Sequence, residues 1–155
     1  MSVRIDASNH VKSGLYRAMV HLQNEVKGSG LEPSLGELVK IRASQINGCA
    51  YCIDMHTKDA RAMGETEQRI YGLSAWRETP FFSERERAAL EWTESVTLVS
   101  DTHVPDEVYS RVRAHFDEAG LVALTFAVMA INSWNRLALA LRMPVGSYQP
   151  QHVGA

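Results

Sequence analysis

The chain has 155 residues, is 45 % hydrophobic, and carries 16 basic against 18 acidic residues for a formal net charge of -2. That is enough for one buried core and short for two independent domains, and the charges form no basic stripe of the kind that binds a phosphate backbone, which speaks against nucleic acid as a partner. The first residues lack the apolar region of a secretory signal, and the longest uncharged stretch, Gly120 to Asn135, falls short of the roughly 20 apolar residues of a membrane span; the sequence reads as a cytoplasmic protein with no membrane partner.

Nowhere does a sustained alternation of β-branched residues appear, whereas helical spacing and helix punctuation recur, so an all-α single domain over residues 1–155 is predicted. A first helix is expected from about Ser8 to Lys27, ended by Gly28-Ser29-Gly30. The second starts near Pro33, which suits a first helical turn, carries Leu35, Leu38, Val39 and Ile46, and breaks at Asn47-Gly48. The third runs from about Cys49 to Gly64, a C′ residue. A shorter helix follows over Glu65 to Trp76. Ser83 with Glu86 three residues later forms a capping box and marks a firm helix start. Pro105 opens a further helix that Gly120 is expected to close, and the last runs from Leu121 to Met143, stopping at Pro144. Residues 144–155 are expected to form a flexible tail. The last helix is apolar nearly all round between Leu121 and Ile131, without the polar face of a surface helix. It is therefore expected to serve both the core and a subunit interface in an obligate oligomer.

Both cysteines, Cys49 and Cys52, lie in one short stretch with His56 four residues on. In a reducing compartment a lone Cys-x-x-Cys pair is more often catalytic or metal-binding than a staple. Haem attachment needs His directly after the second cysteine, and Ile53 stands there. A structural zinc site needs four ligands; His10, His21, His103, His115 and His152 supply no second pair. Two buried cysteines beside an incidental histidine would require three such residues to share a helical face by accident. A redox centre has positive physical support. Cys49 and Cys52 are i and i+3, Cys52 and His56 are i and i+4, so all three share one face. In the first turn the unsatisfied N–H groups and the positive helix end favour thiolate, and His56 can take the proton. If the chain folds back at Asn47-Gly48, a residue about eight to ten positions before the corner comes level with His56. Glu37 is there, and geometry alone weighs evenly between an orienting carboxylate and a solvated first-turn glutamate. Asp54 points to a different face, and Asp59 lies beyond His56, farther from the thiols.

Read as Glu37-x11-Cys49-x2-Cys52-x3-His56, the pattern resembles the alkylhydroperoxidase D (AhpD) branch of the carboxymuconolactone decarboxylase superfamily. The likeness extends over Glu37 to Thr97, within a redox core at residues 33–97, and to the closing "INSWNRLALALR". The resemblance implies an AhpD-like helical bundle that assembles as trimers or hexamers, and a thiol-dependent hydroperoxide reductase of antioxidant defence that uses no metal, haem, flavin or other cofactor. By position it implies Cys52 as the peroxidatic cysteine, Cys49 as the resolving one, and His56 with Glu37 as the proton relay. An organic hydroperoxide would be the substrate and an external dithiol, a thioredoxin-like or lipoyl protein, the reductant. The alternatives are a dithiol–disulfide electron carrier with little peroxidase activity, or a thiol-based redox sensor. One position departs from the pattern: Tyr51 stands where well-studied relatives have histidine, and tyrosine is a poor base near neutrality. The decarboxylase branch lacks the cysteine pair, so lactone decarboxylation is not expected. Trp134, Asn135 and Arg136 are read first as packing or subunit contact, His103 and His115 as solvated, and Leu38, Val39, Ile41 and Met55 as core.

Overall fold

The computed structural model describes residues 2–150, and among them the chain is helical with no strand. A 3-10 turn at Ala7–His10 precedes α1 (Gly14–Lys27), so the first predicted helix divides in two, because Ser13 accepts the Tyr16 N–H and caps a new start. Then come α2 (Pro33–Asn47), α3 (Ala50–Ala62), and α4 (Glu67–Gly72), which passes into a 3-10 stretch, Leu73–Glu78, with a non-helical kink at Ala75. Helix α5 (Glu84–Thr97) begins at the Ser83–Glu86 capping box, and a short α6 (Val99–Thr102), absent from the sequence reading, follows it.

Gly120 does not close the helix that Pro105 opens. That helix, α7 (Asp106–Arg113), stops earlier, and α8 (Glu118–Leu141) starts before the glycine. Asp117 is the N-cap of α8, and its Oδ1 accepts the Gly120 N–H at 2.7 Å. A side-chain carbon at position 120 would sit 2.9 Å from that same oxygen, so the glycine makes room for the cap rather than ending a helix.

Helix α2 is the central element and packs on α3, α5 and α8. Two core clusters flank it. Leu35 and Val39 join Trp92, Phe116, Leu124 and Val128, while Leu38 and Ile41 join Leu73, Trp76, Phe82 and Leu90. Met55 is only half-buried and belongs to neither. Helix α8 has the length and hydropathy of a membrane-crossing helix, yet more than half of that window is buried inside the protein. Its inner side gives Leu121, Leu124, Val128 and Ile131 to the core, and Val122, Phe126 and Met129 stand outward at 44–56 % exposure.

The segment after α8, expected to be a flexible tail, lies along α3 as far as residue 150. The Gly146 N–H and the Lys58 ammonium both bond the Asp54 carboxylate, Lys58 also bonds the Tyr148 carbonyl, and the Tyr148 hydroxyl donates to Asp59 Oδ1 at 2.7 Å. Residues 151–155, with His152, lie outside the described residues.

At the start of α5 the Ser83 Oγ accepts the Glu86 N–H at 3.3 Å and Glu86 Oε2 accepts the Ser83 N–H at 2.7 Å. Ser83→Ala is expected to lower stability by about 1 kcal/mol, and Ser83→Asp to retain most of it, as read by urea denaturation.

Candidate active site

The site begins with a reversal of the chain. Gly48 sits at φ 68°, in the left-handed region, and ends α2 while the Cys49 N–H bonds back to the Ser44 carbonyl at 2.9 Å. The next residue, Cys49, is already the N-cap of α3, with its sulfur accepting the Cys52 N–H. A thiol thus occupies the place usually taken by serine or aspartate. Both cysteines are free and buried, and their Sγ atoms are 2.6 Å apart. That is inside van der Waals contact of two sulfurs and longer than the roughly 2.05 Å of a disulfide, so a bond needs only a small further approach.

Two polar side chains complete the surroundings of the thiols. Asn135, fully buried, stabilises the ionised form of both cysteines, and Ser44 that of Cys52. They are held by a hydrogen-bonded network: Asn135 Nδ2 donates to Ser44 Oγ at 3.0 Å, and Asn47 Nδ2 donates to the side-chain oxygens of Asn135 at 2.8 Å and Asn132 at 3.0 Å. Hydrogen bonding from Cys52, opposed by burial and aided by the Cys52 N–H and Asn135, brings the Cys49 thiol down to about 7. Its bond to Cys49, burial and the charge on Cys49 push Cys52 upward. Of the two thiols Cys49 is therefore the one that ionises first, with Cys52 keeping its proton.

Glu37 and His56, one on α2 and one on α3, are buried and joined by a 2.8 Å hydrogen bond from Nδ1 to Glu37 Oε2. The other carboxylate oxygen accepts Lys40 Nζ at 2.5 Å. Burial raises the Glu37 pKa, but bonding to and charge attraction by His56, with Lys40, outweigh it and hold the carboxyl below its ordinary range. An ionised Glu37 keeps the proton on Nδ1 and leaves Nε2 as the basic nitrogen. Glu37 and His56 line an apolar cavity of about 220 Å³ between α1, α2 and α8, whose wall includes Trp134; neither sulfur lines it. Among the described residues no hydrogen bond joins His56 to either thiol.

Asp59 comes closer to this centre than its place in the sequence indicates. Donor atoms of Glu37, His56 and Asp59 all lie within 4.8 Å of one another, the group of described residues that could hold a metal ion. Each carboxylate there is already engaged, Glu37 by His56 and Lys40, and Asp59 by Tyr148. The cysteines belong to no such group among the described residues.

Tyr51 is half-buried, and burial together with nearby negative charge raises its pKa, so it remains a neutral donor. Arg136 bonds the Asn132 side chain, and His103 and His115 are exposed. Sequence reasoning passed over Ser44 and Tyr148, set Asp59 aside as farther from the thiols, and read Asn135 as packing or subunit contact. The available signal was two asparagines, Asn132 and Asn135, inside an otherwise apolar helix: buried amides require partners. Titration followed by thiolate absorbance near 240 nm is expected to show a first ionisation near 7 in the wild type. In Cys52→Ala, which removes the largest cause of the shift, the midpoint should move up toward the about 8.5 of an unperturbed thiol.

The profile of the carboxymuconolactone decarboxylase family matches residues 14–95. The uncharacterized protein YdfG of Bacillus subtilis is 50 % identical over 141 residues, covering 91 % of this chain and 95 % of YdfG. Among solved structures, a protein of unknown function from Agrobacterium tumefaciens, ATU0492, proposed as the antioxidant defence protein AhpD, superposes with a TM-score of 0.87 at 42 % identity, over 97 % of this chain and 99 % of that one. The debrominase Bmp8 shares the fold at a TM-score of 0.77 and 18 % identity, over 86 % of this chain and 72 % of its own. A family profile, a half-identical relative and a superposable fold agree: the chain belongs to the carboxymuconolactone decarboxylase family, as an AhpD-like member.

Proposed function

We propose that the protein is a thiol-dependent hydroperoxide reductase of antioxidant defence. The observation that carries this reading is the buried, reduced Cys49–Cys52 pair at 2.6 Å on the same helix as a histidine bonded to a buried carboxylate. Cys52 thiolate attacks the terminal oxygen of a hydroperoxide, the O–O bond breaks, and the alkoxide leaves as alcohol with a proton supplied through His56. The resulting sulfenic acid on Cys52 is attacked by Cys49, water departs, and the disulfide closes. The hydroperoxide gains two electrons, and the two thiols lose them. Glu37 fixes the imidazole so that Nε2 accepts and returns the proton. An external thiol then restores the pair.

The resting charge at Cys49 does not oppose attack by Cys52. At 2.6 Å the proton passes readily between the sulfurs, and intrinsic thiolate nucleophilicity rises with pKa, so the Cys52 thiolate is the stronger nucleophile once formed. The outward apolar residues of α8, Val122, Phe126 and Met129, fit the subunit contact of a homo-oligomer, a trimer or hexamer.

The second reading, a dithiol–disulfide carrier that reacts little with peroxide, draws on the absence of either sulfur from the lining of the Glu37–His56 cavity. Intact-protein mass after one equivalent of an organic hydroperoxide separates the two. Under the peroxidase reading the wild type loses about two mass units, Cys49→Ser gains about sixteen, and Cys52→Ser is unchanged. His56→Gln is expected to slow the oxidation about 10²–10⁴-fold. A wild type unchanged by peroxide yet converted to the disulfide by diamide would establish the carrier instead.

A further inference from the structure

A second cavity, of about 650 Å³, opens beside Cys49 and shares no lining residue with the one beside Glu37 and His56. Cys49 and Tyr51 form part of its wall, Met143 and Val145 close it from the segment after α8, and Cys52 lines neither cavity. Two arginines, Arg4 and Arg142, stand on it, and no carboxylate does. Elsewhere six guanidinium groups pair with carboxylates, Arg42 and Arg77 with Glu94, Arg61 with Glu67, Arg69 with Glu65 and Glu86, Arg85 with Glu32, and Arg111 with Glu91, while Arg87, Arg113 and Arg136 bond carbonyl or amide oxygens. Among the described residues Arg4 bonds only a carbonyl, that of Ala140, and Arg142 has no acidic partner. The cleft is of the size that receives a small molecule, and it brings uncompensated positive charge to the cysteine that a reductant must reach.

We propose that this cleft is the reductant site, and that it takes a low-mass thiol bearing a carboxylate, which attacks Cys49. This rests on the reading of Cys49 and Cys52 as a redox pair. The reductant thiolate bonds to Cys49 Sγ, the Cys49–Cys52 bond breaks, and Cys52 leaves as thiolate and takes a proton on the His56 side. A second reductant thiolate then attacks the reductant sulfur of the mixed disulfide and releases the Cys49 thiolate. Two thiols are oxidised to their disulfide, and the protein disulfide gains the two electrons. The reductant thereby reaches the pair through a cleft separate from the cavity beside Glu37 and His56.

The test uses full-length protein oxidised with diamide, so that it does not depend on peroxide. Reduction is timed with 3-mercaptopropionate, 2-mercaptoethanol and cysteamine, three thiols of similar size and different charge, each rate expressed per thiolate. The anionic thiol is expected to be fastest and the cationic one slowest, by about tenfold in total at low ionic strength, with the spread closing as salt is added. In a variant combining Arg4→Gln with Arg142→Asn, asparagine being tolerated at the left-handed φ of 54° there, the advantage of 3-mercaptopropionate should vanish while the 2-mercaptoethanol rate changes less than twofold. Cys49 alone, in Cys52→Ser, should form the mixed disulfide with dithiodipropionate at least tenfold faster than Cys52 alone, in Cys49→Ser. Equal rates per thiolate for the three reagents, or preferential capture at Cys52, would overturn the proposal. Failure of diamide to form the disulfide would overturn the redox pair itself, whereas a diamide disulfide that peroxide cannot make removes only the peroxidase reading.

Discussion

At Gly48 the backbone passes through φ 68° and turns α2 into α3 within two residues. A residue with a side chain is strained in that region, and a looser connection would move the α3 N-terminus away from the end of α2. The tightness of the turn makes Cys49 a helix cap and sets Cys52 one turn further on, with its N–H directed at the Cys49 sulfur. It also fixes the register of the two helices, so that His56 meets Glu37 across their interface. One corner therefore determines both the sulfur–sulfur distance and the imidazole–carboxylate contact. These are the two contacts on which the proposed chemistry rests.

Helix α2 serves this arrangement by having three faces where a surface helix has two. Leu35 and Val39 fill one core cluster, Leu38 and Ile41 the other. The remaining stripe, Glu37, Lys40, Ser44 and Asn47, follows the spacing of one helical face. Polar groups on a central helix are costly unless each finds a partner. Here Glu37 has His56 and Lys40, Ser44 has Asn135 and the Lys40 carbonyl, and Asn47 has Asn132 and Asn135. The stripe is satisfied only with α3 and α8 in place, so the fold and the site require one another.

What the sequence disclosed follows from the range of each interaction. The Ser83–Glu86 box, Pro33 at the start of α2 and the Gly48 break act within four residues and were legible as local patterns. Gly120 misled because glycine is permitted both after a helix and beneath a cap, and only the approach of Asp117 Oδ1 distinguishes them. The single helix expected over Glu65 to Trp76 gives way after Gly72 to a 3-10 stretch that is itself kinked at Ala75. Cys49, Cys52 and His56 could be grouped because they share one helical face next to the corner, whereas Glu37 was left even by geometry and was assigned by the family resemblance. Asn135 and Tyr148 reach the same centre from about ninety residues away, and their contacts are tertiary, beyond the reach of periodicity.

The same fold carries a debrominase in Bmp8 at 18 % identity, so the helical frame does not set the reaction. What varies freely on such a frame is the side chemistry of the cysteine corner. In this chain the corner lowers Cys49 to about 7 through bonds from Cys52, the Cys52 N–H and Asn135. The same bonds that make the resting pair acidic also tie its charge down, since a thiolate holding several hydrogen bonds is a weaker nucleophile than its concentration alone implies. In the proposed reaction the charge shifts to Cys52, where the bond with Cys49 and burial outweigh the contacts with Asn135 and Ser44. The proposed reaction, in which charge is held on one sulfur and the other attacks, needs the two in contact and a base on the same helix. The corner at Gly48 supplies the first of these, and the stripe on α2 orients the second.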